Sequence, residues 1–191
     1  AAPTKFSGHA IPEARVHDRL ACCVSVTRDA CGRWRRVVGS PTPLAVHEIG
    51  VIKRLVQSGT IVVACGGGGA PIYADGARGW EGVDAVVDKD LAAAVLARDL
   101  GASLLMILTD VEGVFLDYGT PKQRMLDTLT LAEAQRLDAA GAFGAGSMAP
   151  KVRAAANFVR LTGGRAIITE LARGREAVRG AAGTTIIAEN A

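Results

Sequence analysis

Residues 82–113 constrain the fold more than any other stretch, because they contain a complete succession of a charged cluster, a helix-like run, a glycine stop and an apolar run of strand length. The apolar run ends in polar residues, and ligands gather at the carboxyl ends of strands in open α/β sheets. The stretch therefore predicts one helix–strand unit with a ligand-binding edge. Its parts, in chain order, are Asp88-Lys89-Asp90, residues 91–100, Gly101, residues 103–108 and Thr109-Asp110.

From residue 44 onward, helix-like and strand-like runs alternate in the same way. Alternation of this kind predicts a parallel sheet that is covered by helices on both faces. We therefore expect an α/β three-layer sandwich with a mainly parallel sheet. The expected helices lie at residues 49–56, 91–100, 130–139, 147–161 and 173–178, the expected strands at residues 61–64, 103–108, 166–169 and 184–188, and a loop at residues 115–126.

The first part of the chain has a different pattern, with a short helix followed by a hairpin. A hairpin with one helix buries little surface, so this segment should lean on a larger body. We expect residues 1–40 to form a small protruding lid subdomain and residues 41–191 to form the main body. The expected lid elements are a helix at residues 12–20, strands at residues 22–27 and 34–38, and a turn at residues 29–32.

Composition excludes several classes of function. Aromatic residues make up only 4% of the chain and the net charge is +3, which argues against a nucleic-acid stacking platform and a polyanion partner. The four cysteines form no C-x-x-C pair and no metal-ligand spacing with the three histidines, so we expect no metal site in the protein itself. We expect a reduced, cytoplasmic chain with no signal peptide and no membrane span.

Four consecutive glycines follow the expected strand at residues 61–64. Glycines after a strand let backbone N–H groups approach an anion closely and adopt positive φ without penalty. The spacing matches neither the dinucleotide-binding fingerprint nor the P-loop. Gly66, Gly67, Gly68 and Gly69 therefore indicate either an anion site or a flexible turn, and the entropy cost of four glycines favours the anion site.

Two lysines stand where helices are expected to begin. A cation near a helix start opposes the helix dipole, so Lys89 is a misfit unless its flanking carboxylates hold it towards a phosphate. Lys151 follows Ser147 and Pro150, a plausible cap and a first-turn proline. Helix-terminal N–H groups and an ammonium make a phosphate cradle, and the alternative for each lysine is an ordinary solvated side chain.

The polar residues after the strand at residues 103–108 permit two interpretations as well. Residues 109–114 either hold the edge of a nucleotide or form an ordinary exit from a strand. We find no Ser/His/Asp or Cys/His arrangement with recognisable spacing. The glycine run, the helix–strand unit and residues 146–151 are expected to face one phosphate-handling site.

Six stretches occur in the order found in carbamate kinases, and over nearly its full length the chain resembles this group of the amino acid kinase superfamily. The lid segment, with Lys5 and residues 34–38, is similar to the protruding subdomain of that group. The six stretches are GGGGAPI (66–72), GVDAVVDKDLAAAVLA (82–97), LTDVEGVF (108–115), GAGSMAPKVRAA (144–155), TGGRAII (162–168) and AGTTI (182–186).

The resemblance implies reversible phosphoryl transfer between ATP and carbamate, giving ADP and carbamoyl phosphate with Mg²⁺. It implies that Lys89 and Lys151 neutralise charge on the transferred group, that Asp90 orients them, and that Lys5 reaches in from the lid. The four glycines at residues 66–69 would hold carbamate or carbamoyl phosphate. The nucleotide pocket would be lined by Thr109, Asp110, Val114, Gly146, Ser147, Met148 and Lys151.

Carbamate kinases begin with a further α/β portion that has no counterpart in this sequence, so the chain is expected to be the carboxy-terminal part of such a kinase. Members of that group are homodimers. Three hypotheses stay open: an active carbamate kinase, a non-catalytic fragment that binds nucleotide, and a related kinase with another acceptor.

Overall fold

The computed structural model describes residues 3, 5–22, 24–143 and 148–189. The chain divides into two compact units, the first formed by residues 1–43 and 65–89 and the second by residues 44–64 and 90–191. The expected boundary at residue 40 stays a prediction. Within the described ranges, no helix combines the length and the apolar character that crossing a lipid bilayer requires.

The first unit contains two small antiparallel sheets. Its elements are β1 (Lys5–Ala10), a 3-10 turn (Glu13–Arg15), α1 (Val16–Ala21), β2 (Val26–Arg28), β3 (Trp34–Val38), β4 (Ile72–Asp75) and β5 (Gly79–Gly82). The sheet order is β1-β3-β2, and β4 pairs with β5 alone. An isolated parallel bridge joins Gly39 to Ala85, which ties the two parts of this unit together.

The expected hairpin of the first unit is confirmed, with differences at its edges. Strand β3 covers the predicted residues, and the turn before it closes through the Gly32 N–H, which donates to the Asp29 carbonyl at 2.8 Å. The predicted strand at residues 22–27 is wrong in its first half, because Cys22 lies in a turn and β2 begins at Val26. Strand β1 was not predicted. Its sequence lacks apolar alternation and is irregular around Gly8, so pairing with β3 rather than local propensity makes it a strand.

The second unit contains the main sheet and most of the helices. Its elements are α2 (Ile49–Gln57), α3 (Lys89–Leu100), β6 (Leu104–Thr109), β7 (Val114–Leu116), β8 (Arg124–Leu126), β9 (Thr128–Thr130), α4 (Leu131–Ala139), α5 (Met148–Thr162), β10 (Arg165–Glu170), a 3-10 turn (Leu171–Arg173), α6 (Gly174–Val178) and β11 (Thr184–Ile187). The first residue of α3, Lys89, is counted with the first unit.

The sheet has the order β6-β10-β11-β9, and two of its three pairings are parallel. Strand β10 lies parallel to β6 with Ala166 opposite Leu105, and antiparallel to β11 with Ala166 opposite Ile186. A mainly parallel sheet therefore forms as predicted, with one antiparallel pairing inside it.

Helices lie on both faces of this sheet. On one face, Leu105 and Ile107 of β6 join a core with the small residues of α3 and α5, including Ala154 and Ala155. Alternate residues of a strand point to opposite faces. Met106 and Leu108 accordingly lie near Gly174 at the start of α6, on the other face. The arrangement is the three-layer one that the alternation of helices and strands predicts.

The predicted buried strand at residues 61–64 is wrong. These residues pair with no strand in the described ranges, and Ile61 and Val63 are 94% and 96% exposed. The run has the β-branched composition of a core strand, but a strand needs a neighbour to complete its backbone hydrogen bonds. The expected loop at residues 115–126 is also wrong in part, because β7 and β8 form a hairpin there.

Candidate functional site

A buried ion pair joins the first turns of two helices in the second unit. The Lys151 ammonium donates to the Asp90 carboxylate at 2.8 Å, and the two residues are 5% and 7% exposed. Lys151 is the fourth residue of α5, directly after Pro150, and Asp90 is the second residue of α3. The alternative of a solvated Lys151 is therefore excluded, because a lysine this buried needs a counter-charge.

Small side chains explain why these helix starts are fixed so firmly. Around Lys151, α5 places Ala149 and Val152 in the core, and Ala154 and Ala155 are fully buried on the next turn. Alanines let neighbouring elements approach closely, and a packed interior permits little movement. The ammonium of Lys151 is consequently held in one position by its helix and by Asp90.

The end of β6 carries the polar residues that were predicted to contact a nucleotide. Thr109 is the last residue of the strand, and its hydroxyl donates to the Asp110 carboxylate at 3.0 Å. Val114 is fully buried at the start of β7, and its N–H donates to the Thr184 hydroxyl at 2.8 Å. The hydrogen bond of Val114 thus fixes the turn between β6 and β7 at its β7 end. Asp110, at the β6 end of the turn, is exposed.

The glycine run in the first unit has a backbone that only glycine adopts without strain. Gly66, Gly68 and Gly69 have φ of 42°, 133° and 83°. A Cβ on Gly68 would collide with the carbonyl oxygen of Val87, so a larger residue is excluded there by backbone contact as well as by φ. The fold of this loop therefore requires glycine at residues 66, 68 and 69, and an anion site at the loop stays a prediction.

Lys5 and the charged cluster also meet inside the first unit. The Lys5 ammonium lies 2.6 Å from the Asp88 carboxylate, whose side chain is 11% exposed. Lys89 is the first residue of α3 and is exposed. Nothing in the sequence near Asp88 indicates that this residue pairs with a lysine 83 positions away.

The structure brings some predicted site residues into contact and leaves others untested. Asp90 touches Lys151, and Thr109 touches Asp110. Met148 is the first residue of α5. Gly146 and Ser147 lie outside the described residues. That all three predicted stretches face one site stays a prediction.

The second unit also contains a groove of about 400 Å³. Its walls combine apolar and charged side chains, and none of the predicted site residues lines it. We therefore do not assign the reaction to this groove. It is lined by Leu116, Arg124, Met125, Leu126, Asp127, Thr128, Leu129, Glu133, Arg136 and Leu137.

The part of the chain that the structure describes contains no group of three or more His, Cys, Asp or Glu side chains placed to hold a metal ion. Within those residues, therefore, the Mg²⁺ that the resemblance implies would have fewer than three such side chains grouped to hold it.

Comparison with known proteins identifies close similarities. The sequence profile of the amino acid kinase family matches residues 5–170. The carbamate kinases of Thermoplasma volcanium and Halobacterium salinarum are 48% and 49% identical over 154 residues, which is 81% of this chain and 50% of each of those proteins. The structure of Giardia lamblia carbamate kinase bound to AMP-PNP is 42% identical, with a TM-score of 0.89, and the match covers 98% of this chain and 60% of that one.

These similarities confirm the resemblance to carbamate kinases and the α/β fold class that the sequence predicts. The chain spans about half the length of the curated relatives it matches.

Proposed function

Because this chain belongs to the amino acid kinase family, we propose that it takes part in reversible phosphoryl transfer between ATP and carbamate, with ADP and carbamoyl phosphate as products. The similarity to carbamate kinases supports the choice of acceptor. The observation that carries the proposal is the buried Lys151–Asp90 pair, which fixes a cation at the start of α5.

The chemistry needs cations more than it needs a nucleophile from the protein. A carbamate oxygen attacks the γ-phosphorus, the bond from that phosphorus to the bridging oxygen breaks, and ADP leaves with the electron pair. The transition state spreads negative charge over the phosphoryl oxygens, and catalysis is mostly positioning and electrostatic stabilisation. Lysine ammonium groups and helix-terminal N–H groups supply these effects.

Each predicted residue has a role in this scheme. Lys151, held by Asp90, would neutralise charge on the transferred phosphoryl group, and Lys89 would do the same from the first turn of α3. Lys5, whose ammonium lies against Asp88, would act from the lid. The bare amides of the loop at residues 66–69 would bind carbamate or carbamoyl phosphate.

The nucleotide would bind to residues at the ends of β6 and α5. The exposed carboxylate of Asp110 is suited to a polar edge of the nucleotide, whereas Val114, which is fully buried, would support the pocket from behind. The AMP-PNP in the Giardia structure supports a nucleotide site in proteins of this kind. The proposed pocket residues are Thr109, Asp110, Val114, Gly146, Ser147, Met148 and Lys151.

We further infer that Mg²⁺ accompanies the nucleotide phosphates, which are its usual ligands in kinases. A homodimer, which the resemblance implies, and a cytoplasmic location, which the cysteine pattern favours, belong to the same proposal.

The nucleotide site is tested by thermal unfolding with and without ADP. Saturating ADP should raise the melting temperature. At an ADP concentration of 100 times the dissociation constant, binding should add about 2.7 kcal/mol to the free energy of unfolding. Lys151→Ala should abolish this shift. Arg153→Ala is the matched control, because it also removes a cation paired to an aspartate from α5, but an exposed one. An ADP shift that survives in Lys151→Ala, or is absent from the unaltered protein, would contradict the proposal.

A further inference from the structure

Thr184 makes a buried contact that links three segments of the second unit. It is the first residue of β11 and is fully buried. Its hydroxyl accepts from the Val114 N–H at 2.8 Å and donates to the Leu126 carbonyl at 2.5 Å. Val114 and Leu126 are opposite each other in the β7–β8 hairpin, so one hydroxyl holds both strands at their first pair.

The turn that precedes this hairpin is packed directly against the same hydroxyl. A Cβ added at Gly113 would lie 2.8 Å from the Thr184 hydroxyl oxygen and 3.1 Å from the Met125 sulfur. Gly113 is also buried. Residues 110–113 therefore run from the end of β6 to a point fixed by Thr184, with no space for a larger side chain at that point.

We propose that Thr184 is a positioning residue for nucleotide binding: its hydroxyl fixes the turn at residues 110–114, and that turn presents the exposed Asp110 to the nucleotide. This inference rests on the proposed function, since it assigns the turn to the nucleotide. Thr184 touches the hairpin backbone and acts through it, so the proposal makes no claim of contact with the reacting atoms.

A second buried threonine provides a matched control. Thr169 in β10 is also fully buried, and within the described residues its hydroxyl has no hydrogen-bond partner. Replacing either threonine by valine keeps the shape and removes the hydroxyl. Only at Thr184 does the change leave a buried N–H and a partly buried carbonyl without this partner.

The experiment compares Thr184→Val, Thr184→Ser and Thr169→Val with the unaltered protein. We measure the dissociation constant of ADP by calorimetry and the KM values of ADP and carbamoyl phosphate, well below the melting temperatures. Thr184→Val should weaken ADP binding about ten-fold, as expected when a buried donor loses its acceptor. The KM of carbamoyl phosphate should change less than about two-fold, a difference too small to reflect a lost hydrogen bond. Thr184→Ser and Thr169→Val should bind ADP like the unaltered protein.

Each other outcome has a distinct meaning. If the unaltered protein does not bind ADP, the proposed function fails and this inference fails with it. If it binds ADP and Thr184→Val binds equally well, this inference alone is overturned. Equal increases in both KM values would show a general structural role and would also overturn it. Should Thr184→Val not fold, Gly113→Ala applies the same test, because its new methyl group would push against the Thr184 hydroxyl.

Discussion

Substitutions in the Lys151–Asp90 pair can distinguish an effect on folding stability from an effect on nucleotide binding. Removing two charges from water costs several kcal/mol for each ion, and their attraction offsets this only while both are present. Loss of one partner therefore removes the attraction that offsets the burial of the other charge. Loss of both partners leaves no buried charge at this position.

We expect Lys151→Met to lower the free energy of unfolding by about 3–5 kcal/mol, because Asp90 would then be a buried carboxylate without its ammonium. The double variant Asp90→Asn/Lys151→Met should recover most of that loss. Chemical denaturation of the three proteins measures both values. ADP should stabilise neither variant, since both lack the cation. A double variant as unstable as the single one would show that packing, and not the ion pair, is responsible.

Single residues were predictable where their chemistry conflicts with their local position. Lys89 and Lys151 stand at helix starts, where a cation is unfavourable, and this conflict marked them. Nothing local marks Thr184, because its partners Val114 and Leu126 lie 70 and 58 positions away. The contact of Lys5 with Asp88 was missed for the same reason.

At the scale of the element, α4 begins as its sequence predicts. Thr130 and Glu133 form a complete capping box: the Glu133 N–H donates to the Thr130 hydroxyl oxygen, and the Thr130 N–H donates to the Glu133 carboxylate. The backbone hydrogen bond from Thr130, followed by the one from its hydroxyl, lowers the pKa of Glu133 below its ordinary value of 4.5.

The lowered pKa gives the capping box a defined pH dependence. A carboxylate with a depressed folded-state pKa stabilises the fold above its unfolded pKa, and the contribution is lost as pH falls through the folded pKa. Glu133→Gln should therefore melt below the unaltered protein at pH 7, and the difference should shrink as pH falls from 4.5 through the lowered pKa. Thr130→Ser, which keeps the hydroxyl, should follow the unaltered protein. A difference independent of pH would contradict the capping role of the carboxylate.

Elements with strong periodicity were predictable, and elements made by pairing were not. Helix α3 and strands β6 and β10 lie within two residues of their predicted ends. Strands β1 and β9 acquire their conformation from partners distant in sequence, and the two strands of the β7–β8 hairpin are only three residues long. At residues 61–64 the apolar composition predicts a strand, but no strand forms there.

Matched isoleucine substitutions test this difference between composition and burial. Ile61 is 94% exposed and Ile167 is fully buried in β10. Ile61→Ala should change the free energy of unfolding by less than about 0.5 kcal/mol. Ile167→Ala should cost about 2–5 kcal/mol, because it removes core contacts and leaves a cavity. Denaturant titration measures both, and a comparable cost at Ile61 would mean that this segment is packed.

At the scale of the whole molecule, the sequence predicted the fold class and the kind of relative, since six ordered motifs and an alternating pattern are global features. The glycine run, Lys5 and Lys89 belong to the first compact unit, and Asp90 and Lys151 belong to the second. A measurement of the reaction itself is required.

The most direct measurement is ATP formation from carbamoyl phosphate and ADP by the purified protein in the presence of Mg²⁺. The account predicts ATP production, and it predicts that Lys89→Ala lowers kcat by about 100-fold or more while the melting temperature stays nearly unchanged. Absence of ATP formation from a folded protein that ADP stabilises would contradict phosphoryl transfer and leave nucleotide binding without catalysis.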